Sequence, residues 1–129
     1  MPQARATVGP YAVNPGLNTT GSTIAKYRLV KKSTTAVDGV APATDGTARI
    51  EGVTMQAIEA GRAGDVQVKD TAICEASAAI AIGAKVTAAA GGKAVTAGAA
   101  ANVIGIARSA AAADGDLFEL EIDREVSAA

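Results

Sequence analysis

The 129 residues include no histidine, no tryptophan and one cysteine, which excludes an intrachain disulfide, a zinc site built on Cys and His, and the commonest acid–base catalyst. The length suits one domain or one domain plus an arm, and no run approaches the roughly 18 apolar residues of a bilayer span. The net charge of −1 hides an asymmetry: the first 37 residues hold five cations and no acid, whereas the chain from Asp38 onward holds seven basic and thirteen acidic residues.

In chain order, residues 1–25 read as an extended basic arm. They are rich in turn and cap residues (Gly9-Pro10, Asn14-Pro15-Gly16, Asn18 to Ser22) and poor in large apolar side chains, so they gain little by folding on themselves. No secretory leader is expected, because Met1 to Arg5 lacks an apolar stretch. A β-rich domain is expected over 26–126. It opens on an alternating strand, Lys26–Lys32, followed by hairpin-type turns at Asp38-Gly39 and Asp45-Gly46. Strands are then expected at Ala48–Gln56, Val66–Lys69, Thr71–Glu75, Ala78–Ile82, Ala84–Ala88, Lys93–Thr96, Val103–Ala107 and Asp116–Asp123. Gly91-Gly92 fits a two-residue hairpin turn.

The alanine runs favour helix by propensity, yet Gly or Asp-Gly interrupts nearly all of them and large apolar residues lack a 3.6-residue period. One short helix or turn is allowed near Ile58–Ala63 or Ser109–Ala113. Otherwise the pattern is all-β, a small β-barrel or β-sandwich of short strands with an extended N-terminal arm. Alanine supplies 32 residues, about half of the 49% hydrophobic fraction. A core so thin in large side chains is marginal for a monomer, and association is expected to supply stability.

There is an internal echo. Gly52-Val53 leads through an Ala-containing stretch to Gly64-Asp65 and a strand, and Gly105-Ile106 leads through an Ala-rich stretch to Gly115-Asp116 and a strand. A two-fold structural duplication and convergent turn chemistry both account for it.

Catalytic chemistry is not legible. Glu119, Glu121 and Asp123 alternate with Leu120 and Ile122, as on a solvated strand face whose other side, with Leu117, joins the core. Asp114-Gly-Asp116 is too small a fragment of a calcium loop. Ala88 to Lys93 lacks the spacing of a phosphate loop, and Ala94 stands where Ser or Thr is needed. Cys74, inside an apolar strand, reads as a small buried hydrophobe. No cofactor, metal or membrane partner is expected. The arm's charge is too dilute for nucleic acid, and an acidic protein surface suits it better.

The stretches Ala76–Val86, Gly91–Val95, Asn102–Ala107 and Ala113–Leu117, followed by a terminal alternating strand, keep one order. Together they resemble the capsid cement, or head decoration, proteins of tailed bacteriophages over roughly residues 48–123. Two departures are a longer stretch before residue 35 and Gly83-Ala-Lys85 in place of a commoner Gly-Asp. The resemblance implies a small, β-rich, non-enzymatic virion protein on the outer surface of the expanded head. It implies a homotrimer that clamps neighbouring major capsid protein subunits. An arm ordered on the shell costs about 1–2 kcal/mol per residue in backbone entropy, so it needs a large contact, for which strand addition and trimer avidity are available. The expected capsid-binding residues are Arg5, Tyr11, Lys26, Tyr27 and Arg28, anchors of low rotor count joined to forked or point cations. The rival structural reading is a head fibre or adhesion module binding a host-surface glycan.

Overall fold

The computed structural model describes residues 12–123, and these form a closed five-stranded β-barrel followed by a five-stranded sheet that an isolated bridge curls into a second, barrel-like unit, called the second barrel below. The first is closed in the order β1 (Val13–Asn18), β3 (Gly39–Pro42), β2 (Leu29–Lys32), β4 (Ile50–Thr54), β5 (Ala63–Gln67). The second follows in the order β6 (Asp70–Glu75), β10 (Leu117–Ile122), β9 (Gly105–Ala107), β7 (Lys85–Ala88), β8 (Ala94–Thr96). A parallel bridge between Ala76 and Ala94 joins its two outer strands. The all-β expectation holds, in barrel form.

The two units repeat each other's strand pairing. Parallel pairing of Asn18 with Val40 in the first matches Ala76 with Ala94 in the second. Antiparallel Leu29↔Val53 matches Lys85↔Ile106, and Val53↔Gln67 matches Ile106↔Glu121. An isolated bridge precedes the second strand of each barrel, Ile24↔Ile58 and Ile80↔Ala111. Even the closing bonds agree. Ala43 N donates to Leu29 O at 2.9 Å where Ala97 N donates to Lys85 O at 2.8 Å. The echo in the sequence is therefore a structural duplication.

The expected arm needs correction. Residues 12–25 belong to the first barrel: β1 pairs with β5 from Val13↔Gln67 to Leu17↔Ala63, and Ile24 is buried in the core. Turn-forming residues are tolerated here for identifiable reasons. Leu17 N–H points toward β3 and donates to Asp38 O at 2.8 Å. Pro15, two residues earlier, faces the same way, beyond the end of the β1–β3 pairing, so its missing N–H breaks no ladder bond. A Cβ on Gly16 would lie 2.7 Å from Val66 Cγ2, so only glycine lets β1 come this close. Buried Asn18 organises the following turn: its amide nitrogen donates to Ser22 O and Ile58 O, both at 2.8 Å, and its oxygen accepts from Thr20 N and Oγ1. Residues 1–11, the rest of the expected arm, lie outside the described residues, as does the tail from 124.

Other local expectations shift. Lys26–Lys32 is a strand only from Leu29, and Ala78–Ile82 contributes one bridge residue, Ile80. Neither candidate helix forms. Ile58 and Ala111 are bridge residues, and the chain turns after each. Gly91 and Gly92, at φ of 75° and 80°, carry a short 3-10 turn between β7 and β8. On β10 the core side is Phe118, Leu120 and Ile122, whereas Leu117 is 45% exposed on the acidic face rather than in the core.

Two apolar clusters result. Ile24, Val30, Val40, Ile58 and Val66 fill the first barrel. The second is larger: Phe118, Leu120, Ile80, Val86, Ile104 and several alanines form one cluster with Leu29, Ala43, Ile50 and Val53 of the first barrel. The outer face of β2 and β4 thus closes the neighbouring barrel's core.

Candidate docking surface

Lys26 and Tyr27 sit in the turn between Ile24 and β2. Tyr27 holds φ at 65°, and its counterpart in the second barrel is a glycine, Gly83, at 86°. A non-glycine there costs roughly 1 kcal/mol or more, and the bonds on either side hold it: Tyr27 N donates to Thr54 O, and Tyr27 O accepts from Glu75 N at 3.0 Å. The exposed Lys26 ammonium lies 5.1 Å from the Tyr27 ring centroid. Tyr27, half-buried, lines a hollow of about 180 Å³ with Val53, Thr54, Met55, Gln67, Ala72 and Ile73 at the seam between barrels. Gln67 fixes that seam: buried, it donates from its amide nitrogen to Lys69 O and Thr71 O, both at 2.9 Å.

Arg28 points the other way, into the joint. Its Nη1 donates to Gly91 O at 2.9 Å and its Nη2 lies 3.4 Å from Glu75 Oε1. Lys93 Nζ reaches Glu75 Oε2 at 3.2 Å and Asp114 Oδ1 at 2.9 Å. Hydrogen bonds to Asp114 first and Glu75 second push the Lys93 ammonium above its ordinary pKa. The four groups form a half-buried strut between barrels.

Of the five residues expected at a contact surface, the structure brings Lys26, Tyr27 and Arg28 together at the barrel joint. It leaves Lys26 open to solvent and gives Arg28 internal partners. Arg5 and Tyr11 lie outside the described residues. Sequence reasoning passed over Glu75, Lys93 and Gln67, which reach these positions through contacts remote in the chain, a distance no local pattern encodes.

Leu117, Glu119 and Glu121 form an acidic ridge on β10, with Arg108 Nε 3.9 Å from Glu121 and its Nη1 3.3 Å from Thr71 Oγ1. Val37 and Ile82 stand out at 88% and 71% exposed. Among the described residues no group of three His, Cys, Asp or Glu is placed to hold a metal ion. Cys74 is fully buried, and burial pushes its thiol up to about 12, which removes it as a nucleophile near neutral pH.

The family model described as "phage cement protein" matches residues 17–122, which takes in nearly all of both barrels. No curated protein sequence matches the chain. Among solved structures, the crystal structure of the head fiber gp8.5 N base of bacteriophage phi29 superposes with a TM-score of 0.70. The two share 23% sequence identity, and the match covers 87% of this chain and 95% of that one. At that identity the likeness is one of fold.

Proposed function

Because this chain belongs to the phage cement protein family, a structural family of the phage head and not a family of enzymes, we propose that it binds the outer surface of the expanded head and stabilises contacts between major capsid protein subunits. The observation that carries this reading is the family match across both barrels. The composition supports it, since a chain without histidine and with its one thiol buried offers attachment and no evident catalysis. In this reading the protein acts as a homotrimer on the virion. Arg5, Tyr11, Lys26 and Tyr27 contact the capsid, and Arg28 acts through the joint beside Lys26 and Tyr27. Repetition around a trimer multiplies modest contacts by effective concentration.

Cosedimentation tests it. Purified protein is mixed with expanded heads lacking it, with unexpanded shells and with free DNA. Saturable binding to expanded heads alone is the expected result, and absence of binding to heads overturns the proposal.

The fold likeness to a head-fiber base favours a second reading, in which the chain seats on the head as a base for a fibre or adhesion module. A glycan site of its own has less support. Carbohydrate platforms need exposed aromatic faces, whereas among the described residues Phe118 is buried and Tyr27 half-buried. Recruitment of a fibre or adhesion module by the head-bound chain would favour this second reading, and binding to host cells in place of heads would favour the glycan site instead.

A further inference from the structure

The two barrels match position by position, so every surface on one has a counterpart on the other. The joint within the chain uses one surface from each. Leu29, Ala43, Ile50 and Val53 of the first barrel are buried in one cluster with Ala72, Ala88, Ala94 and Ile104 of the second. The counterparts of the first set are Lys85 and Ile106, from the matching pairs Leu29↔Val53 and Lys85↔Ile106, Ala97, from the matching bonds to Leu29 O and Lys85 O, and Val103, three residues before Ile106 as Ile50 is before Val53. All four are only partly buried. The counterparts of the second set are Asn14, Lys32, Val40 and Glu51. With Pro15, Asp38 and Gly39 they line a groove of about 210 Å³ on the first barrel. The first barrel therefore has a socket like the one its own face fills in the second, and the second barrel has a face like the one that fills it.

We propose that these two surfaces meet between copies: the Lys85–Ala97–Val103–Ile106 face of one chain seats in the Asn14–Lys32–Asp38–Glu51 groove of the next. The chemistry is matched. Where the internal joint buries Leu29 in one apolar cluster with Ala88 and Ile104, the joint between copies sets Lys85 against a groove bearing two acids, Asp38 and Glu51, and one base, Lys32. Val37, 88% exposed beside Asp38, lies on the loop matching Ala89–Gly92. That loop is the one that meets the first barrel internally, a Cβ on Gly92 coming within 2.9 Å of Leu29 O and 3.2 Å of Arg28 Cβ. Val37 is thus placed to cover the Lys85 end of the neighbouring face.

One backbone bond of the internal joint has no available counterpart between copies. Internally, Glu75 N donates to Tyr27 O across the joint. Its counterpart donor, Leu17 N, is already taken by Asp38 O within the first barrel. The joint between copies therefore lacks that bond and leans more on charged side chains, so it is weaker than the internal one and sensitive to salt. The contact is head-to-tail, so it closes into a ring when the rotation allows, and three copies would set six barrels around one axis. This deepens the self-association part of the proposed function and rests on that reading only for the number three.

The test uses the full chain in solution. Lys85→Cys and Asp38→Cys are made separately, mixed and mildly oxidised; Cys74, fully buried, does not compete. The expected product is a disulfide between the two different variants, with none formed by either variant alone. Light scattering on the native chain is expected to show an oligomer that dissociates at high salt. Lys85→Glu should weaken association by about tenfold or more, and Glu51→Lys added to it should restore association. Crosslinking of Lys85→Cys with itself, or single-chain mass at every concentration with no mixed disulfide, overturns the proposal. If heads still bind such a monomer, the cement reading stands while this interface falls.

Discussion

Gly52 and Gly105 occupy the same place in the two barrels, and neither has room for a side chain. A Cβ on Gly52 would lie 2.2 Å from Gln67 O, and one on Gly105 would lie 1.9 Å from Glu121 O. In each case the obstacle is the backbone of the barrel's last strand, which cannot swing aside as a flexible side chain could. Gly105→Ala and Gly52→Ala should each destabilise the protein by about 2–4 kcal/mol, a strain comparable to overpacking a core. Urea unfolding followed by circular dichroism checks this, and a loss under about 0.5 kcal/mol would show that the strands can part without cost.

Truncation separates the barrel from whatever precedes it. Deleting residues 2–22 removes β1, Asn18 and the closure of the first barrel. That variant should lose cooperative unfolding of the first barrel. Deleting residues 2–11 leaves β1 whole and should keep the native strand signal. Head binding by the shorter deletion then reports on Arg5 and Tyr11 alone. Full occupancy on heads without residues 2–11 would remove both from the contact set.

Asn18→Ala should cost about 1–3 kcal/mol, because it strips a buried side-chain partner from Ile58 O and the anchor from the Thr20–Ser22 turn. Asn18→Asp, with the same shape but an oxygen in place of the donor nitrogen, should be no better. Thermal unfolding of the two variants distinguishes loss of the donor from loss of volume.

The charged strut and the buried thiol both act at alkaline pH. Lys93 has a raised pKa in the folded state, so its stabilising effect is complete below the ordinary lysine value and is lost as pH rises through the folded one. Cys74, pushed to about 12, stays protonated in the fold while the unfolded thiol ionises near its ordinary value, so stability falls as pH climbs between those values. Denaturation midpoints should therefore decline above about pH 9. Cys74→Ala should remove part of that decline, and Lys93→Gln another part. A thiol reagent should fail to label the native protein at pH 8.

Arg28→Ala should weaken the joint by about 1 kcal/mol, the scale of a partly exposed pair with one backbone acceptor. A double-mutant cycle with Glu75→Gln isolates the charged part, and a coupling energy of zero would mean that Gly91 O alone holds the guanidinium.

Much of the second barrel is legible in the sequence, because its strands alternate cleanly and its turns carry glycine at positive φ, as at Gly83, Gly91 and Gly115. The first barrel is harder to read. Tyr27 stands where the second barrel has Gly83, Asp38 holds a φ of 60° without being glycine, and Pro15 lies inside a strand. Each breaks a local rule that tertiary bonds then compensate. Leu29 and Val53 read as core residues of their own strands, but they are core residues of the other barrel, a fact that only the packed pair reveals. Of the expected contact set, Lys26 was legible as a surface charge. Arg28 was not legible as a strut, because Gly91 and Glu75 are distant in the chain.

The first barrel's opening residue, Ala12, accepts a bond from Val68 N, and the last strand ends with Ile122 paired to Asp70. The start of β1, the end of β10 and the seam between the two halves thus come together at one spot. Cut at that seam and rejoined between Asp123 and Ala12, the chain would run through the same ladders with the halves in reverse order. Which barrel is made first is a property of the gene, and the architecture is indifferent to it.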